Sequence, residues 1–168
     1  WSLEVAQSEN PYTAGKETVD TVWHYGCRWK CLVTGTTDEP RYASTGWAMI
    51  EGNPEFTIDI EVDNGWVIDD TELVEDAVIR TITLSGKLYN GDVTEHILDS
   101  DVTWTRDTGN VSEDNAWAIK RADAGKTLTV TLDDLGLEFK QKGLCNFKAT
   151  ALLRDGQNVQ TAEMTKGF

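Results

Sequence analysis

The stretch FTIDIEV, residues 56–62, alternates apolar and polar side chains without a break, and this period of two is the feature that most constrains the fold. Successive side chains of an extended strand point to opposite faces, so such a run suits a strand with one face buried and one wetted. The pattern recurs along the chain. TVWHY and CRWKCLV flank Gly26, which predicts a hairpin, and further strand candidates are AVIRTITLSGKLY (77–89), DVTWTR (101–106), AWAIKR (116–121), KTLTVTL (126–132), LCNFKATALLR (144–154) and NVQTAEM (158–164). Turn-forming residues fill the gaps, as in GTTDEP, RDTGN, LDDLG and RDGQN. Long helical periodicity is scarce, and the fold expected is all-β.

Gly52, Asn53 and Pro54 interrupt the pattern and predict a division into 1–52 and 53–168. The second piece, about 115 residues, has the size of an immunoglobulin-like β-sandwich. Of 29 acidic and 15 basic side chains, residues 1–52 carry 7 and 4, which leaves 22 and 11 for the rest; the formal net charge is −14. A phosphate backbone is repelled by such a surface, so no nucleic acid is expected as a partner. No run reaches the roughly 18 apolar residues of a bilayer-crossing helix, and no membrane span is expected. Nothing after Trp1 reads as a secretory leader, and the chain is expected to be a fragment of a longer protein.

Two of three cysteines lie close together in VWHYGCRWKC, residues 22–31. In a strand, Cys27 and Cys31 are about 13 Å apart. A disulfide needs Cα atoms within about 7 Å, and a zinc knuckle needs tighter turns with more ligands than His24 alone. Buried, reduced thiols are expected, in keeping with assembly in a cytoplasm. Cys27, Trp29 and Cys31 alternate with Arg28 and Lys30, which is the period of a strand. Trp29 and Trp47 are expected in the core of a small domain.

In the second piece, RDTGNVSEDNA between Trp104 and Trp117 reads as a variable loop, with Arg106, Asp107, Asn110 and Asp114 as candidate contacts. Two histidines, His24 and His96, fall on different predicted domains, and no hydrolase, nucleotide or metalloprotease motif occurs; no enzyme is expected. Asp99 with Asp101, Asp69 with Asp70, and Asp133 with Asp134 offer hard oxygen ligands for calcium but lack ordered spacing. They are read as solvated turn residues, and no metal or cofactor is expected.

The first piece runs Trp1, Tyr12 and Gly15 in YTAG, Val22, Gly26, Trp29 and Cys31, Pro40, then Trp47. This spacing resembles the chitin- and cellulose-binding modules of carbohydrate-binding families 5 and 12. That resemblance implies a small three-stranded β domain whose glycan contacts are exposed aromatics, commonly just after the central strand, where this chain reads Leu32, Val33 and Thr34. On the matched register Val22, His24, Cys27, Trp29 and Cys31 face inward, and Trp23, Tyr25, Arg28 and Lys30 form an outward set of candidate ligand contacts. In the second piece, Trp104 in VTWTR, then GKTLTVTLDDLG, then the Cys145 strand follow the order of an immunoglobulin-like sandwich without its second cysteine; Ile82 or Leu84 is expected in that place. Together, YGCRWKCLVTGTTDEPRYASTGWAMIEGNPEFTIDIE and WTRDTGNVSEDNAWAIKRADAGKTLTVTLDDLG look like tandem modules of tail-associated virion proteins of bacteriophages of gut Bacteroides-type hosts. The resemblance implies a non-enzymatic virion component, partnered by other virion subunits or by a host surface glycan or protein. A carbohydrate-binding module of a glycan-degrading protein and a purely architectural spacer are the alternatives.

Overall fold

A computed structural model of the chain describes residues 1–155 and 158–168. Two compact units emerge: Trp1–Glu55 with Lys87–Val93, and Phe56–Gly86 with Thr94–Phe168. Both are built on antiparallel sheet, and the fold is all-β. The division differs from a single cut at 52/53, because Lys87–Val93 belongs with the first unit.

The first unit opens with one helical turn, α1 (Leu3–Ala6), and continues into β1 (Thr21–His24), β2 (Cys27–Cys31) and β3 (Trp47–Glu51), which pair in that order. The β1–β2 hairpin closes through Tyr25 and Gly26, at φ 49° and 73°. Two successive left-handed residues give a tight turn whose twist matches the strands. Glycine takes this conformation freely, but a bulky tyrosine does not and must be held there. The Asn90 side-chain amide donates to the Tyr25 carbonyl at 2.8 Å, and the Tyr25 ring centroid lies 4.1 Å from that of His24.

Tyr12, Cys27, Trp29, Cys31 and Trp47 form the core of this unit, with Trp1, Val22, Met49 and Tyr89 packed around them. The rings meet edge to face: Tyr12 and Trp47 at 5.1 Å, Trp29 and Tyr89 at 5.4 Å. So small a unit needs large side chains to bury enough apolar area. All three cysteines are free and buried. The Cys27 thiol donates to the Tyr89 carbonyl and the Cys31 thiol to that of Val33. Gly52, at φ 146°, explains the glycine at the predicted boundary: a Cβ there would lie 2.5 Å from the Cys27 sulfur.

The second unit contains β4 (Thr57–Val62), most of β5 (Val78–Leu88), β7 (Val102–Asp107), β8 (Thr127–Thr131), β9 (Asn146–Asp155) and β10 (Asn158–Gly167). A two-residue strand, β6 (Gly91–Asp92), pairs with the end of β5 inside the first unit. In one sheet β5 pairs with β4 and β8; the other runs β10-β9-β7. The alternation holds: Phe56, Ile58 and Ile60 are buried between exposed Thr57, Asp59 and Glu61, and β7 buries Val102 and Trp104. Ile82 and Leu84 are fully buried.

One strand prediction fails. AWAIKR belongs to a helix, α2 (Val111–Lys120), so RDTGNVSEDNA is the end of a strand, a short turn and a helix rather than a loop. Its apolar run looked strand-like, but capping decides. Asn110 accepts from the Glu113 amide, Glu113 and Asp114 sit in the first turn, and Lys120 in the last, all favourable to the helix dipole. Asp114 and Trp117, three residues apart, face inward, while Ile119 is exposed. The KTLTVTL strand ends at Thr131, and Leu132 begins a helical turn, α3 (Leu132–Leu135), closed by a capping box between Thr131 and Asp134. Of the predicted RDGQN turn, Gly156 and Gln157 lie outside the described residues.

Candidate functional site

The register of the first sheet sorts the opening stretch into its two faces. Val22 is paired with Trp29 and His24 with Cys27 on the core side; Trp23 is paired with Arg28 and Thr21 with Lys30 on the outer side. Strand β3 extends both outer rows, placing Glu51 beside Arg28 and Ala48 beside Lys30. Trp23 is 58% exposed, and Ile50, a residue the alternation did not single out, is exposed with it. The Arg28 guanidinium reaches the Thr21 hydroxyl at 3.2 Å and lies 3.8 Å from Glu51. Lys30 is exposed and makes no ion pair among the described residues. Arg28 and Lys30, two positions apart on one strand, stand about 7 Å from each other along it.

Tyr25 does not belong to this row. It occupies the turn, with its ring against His24 and its hydroxyl bonded to Glu39. His24 Nε2 is 2.7 Å from Glu39 Oε1, and this bond is the main reason the Glu39 carboxyl is held below its ordinary pKa. Trp1 closes the group, its ring 5.6 Å from His24. This pairing of residues 15 positions apart carries no periodic signal and was missed in the sequence.

The candidate contacts of the second unit come together, but away from solvent. Arg106 and Asp114 are buried and joined by a 2.8 Å bond from Nε to Oδ1. Arg106 also donates to the carbonyls of Asp133 and Asp134, and its guanidinium lies 5.6 Å from the Trp117 ring centroid. The Asp114 carboxylate accepts from the Thr108 amide and hydroxyl, both at 3.0 Å. Asp107 accepts from the Gly109 amide within its own turn, and Asn110 caps α2. These four residues bind the second unit's own backbone and side chains. Arg106 and Asp114 are thereby removed from the ligand-contact set.

Asp134 anchors a second buried cluster. Its carboxylate accepts from Trp117 Nε1 at 2.7 Å, from Arg121 at 2.6 Å, and from the Thr131 amide and hydroxyl at 2.8 and 2.7 Å. Burial pushes its pKa up; the Arg121 guanidinium, Thr131 and the Trp117 indole together outweigh that and hold it below the ordinary value. The Cys145 thiol, desolvated nearby, is pushed up to about 12, which leaves it protonated and unreactive. Of the carboxylates considered for calcium, Asp101 pairs with Arg154, Asp99 with Lys126, and Asp69 caps a helical turn. Among the described residues no group of three or more His, Cys, Asp and Glu side chains is placed to hold a metal.

A groove of about 750 Å³ opens over Arg106 and Trp117, walled by Glu75, Asp76, Lys120 and Lys140. Its rim charges are of both signs, and the Arg106 guanidinium that lines it is bonded through Nε and Nη1 to Asp114 and to the Asp133 and Asp134 carbonyls. The outer row of the first sheet combines an exposed ring with polar groups open to a ligand. Comparison with protein-family models, with curated proteins and with solved structures finds no match for this chain.

Proposed function

We propose that this chain is a non-enzymatic adhesive segment of a phage virion protein, with the outer face of the first sheet as its contact surface for a host-cell glycan. The observation that carries the reading is Trp23, more than half exposed in the middle of a strand and set in register with Arg28. A flat exposed indole stacks on a pyranose ring, and the pairing of its strand with β2 sets its orientation. The departure at Leu32, Val33 and Thr34 moves the aromatic contact from the end of the central strand to the hairpin face. In the second unit, the buried carboxylates of Asp101, Asp114 and Asp134 are engaged in structural bonds to arginines and to the Trp117 indole, which supports binding over catalysis.

The test is binding of the whole chain to a bacterial-surface glycan array and to host-type cells, beside Trp23→Ala. Binding that disappears in Trp23→Ala, with the far-UV circular dichroism unchanged, is the expected result. Binding that survives the substitution would place the contact surface elsewhere; no binding by either protein would leave the architectural spacer as the better account.

A further inference from the structure

We infer that the outer face of the first sheet selects anionic polysaccharides, those carrying uronate carboxylates or sulfate esters, over neutral ones. The inference rests on the reading of that face as a glycan contact and adds the chemistry of the glycan.

Charge on this face runs against the rest of the chain. Acidic side chains outnumber basic ones 29 to 15 overall. Yet two of the four basic residues of 1–52 lie together beside Trp23, against the single carboxylate of Glu51. Glu51 holds Arg28 at 3.8 Å with both side chains well exposed, a contact too loose and too hydrated to neutralise it for a ligand. Lys30, flanked across the sheet by Thr21 and Ala48, has no carboxylate on either neighbouring strand position.

The spacing suits a sugar acid. A ring stacked on Trp23 lies directly across the strand pair from Arg28, and Lys30 stands one pleat further on the same strand. A substituent carboxylate or sulfate on the stacked sugar meets Arg28, and the charge of the next sugar along the chain meets Lys30. Neutral glycans obtain the stacking without either ion pair. A chain of net charge −14 repels polyanions generally, so local cations beside the ring are what an acidic ligand requires for approach.

The experiment compares matched probes on the whole chain: oligogalacturonate against its full methyl ester, and a sulfated glycosaminoglycan against its desulfated form, within an array that includes neutral chitin and glucan oligosaccharides. Two exposed ion pairs should give roughly a tenfold preference for the charged member of a pair. The preference should shrink as salt shortens the Debye length from about 8 Å at 0.15 M to about 3 Å at 1 M. Lys30→Gln should lower binding of the charged probe severalfold, and Glu51→Gln should raise it. The two probe pairs distinguish carboxylate from sulfate. Equal or tighter binding of neutral probes, lost in Trp23→Ala, would overturn the anionic preference and leave the glycan face standing. Binding insensitive to Trp23→Ala, confined to envelope proteins, or absent for every probe would overturn both.

Discussion

The two units place their cations in opposite settings. The second buries guanidinium groups: Arg80 and Arg106 are almost wholly enclosed, and Arg121 reaches the enclosed Asp134, each meeting a carboxylate and most also a backbone carbonyl. In the first unit the core is aromatic and thiol, and Arg28 and Lys30 stand on the outside of the sheet. A larger unit can enclose a charge if every donor finds an acceptor, whereas a small one uses its interior for rings. The lesson is that an arginine in a loop-like sequence is weak evidence for a binding surface. The strand register tells the two uses apart.

The sharpest way to break this contrast is Arg106→Ala. It strands the Asp114 carboxylate in a buried site and should cost about 3–5 kcal/mol, read as a shifted urea midpoint; a shift no larger than that of a surface substitution would show that the pair is solvated. Trp117→Phe keeps the ring but removes the donor from Asp134, with an expected loss of about 1–2 kcal/mol.

Acid should act chiefly through the second unit. Glu72, bonded to Arg80, has its pKa lowered from 4.5 to about 2, and Asp101 is lowered by Arg154. Groups depressed on folding stabilise the native state above their unfolded pKa and lose that contribution as pH falls through the folded value. The urea midpoint should therefore fall between about pH 4.5 and 2, and Glu72→Gln should flatten that part of the profile; an unaltered profile would rule out the Arg80 pair as its source. The smallest effect on stability is expected for Trp23→Ala, within about 0.5 kcal/mol, while glycan binding is lost. A loss of several kcal/mol would make Trp23 a packing residue and erase the contrast.

The strands read from alternation were legible because one face of each is buried and the other wet, as CRWKC in the first unit and VTWTR in the second show; β3, whose burial does not alternate, was not among them. The inward and outward sets of the first hairpin were legible for the same reason, up to Tyr25, where a period-two count runs into a turn. Helix α2 was not legible as such. Trp117 and Ile119 keep strand spacing, and the decisive cap at Asn110 lay in a segment rich in turn residues. Nor could spacing show that Arg106 closes on Asp114, eight residues later, because that contact exists only once the helix turns the chain back over β7.

The loan of residues 87–93 to the first unit has a consequence for how such modules are inherited. That short tip supplies the Tyr89 ring at the edge of Trp29 and the Asn90 amide that clasps the Tyr25 turn. A recombination joint at the predicted cut after Gly52 would carry away residues 1–52 and leave both behind. Grafted elsewhere, the first unit keeps its hairpin geometry only if the new host offers an equivalent tip, so a transferable cassette has to include residues 87–93 as well as the segment that the sequence punctuates.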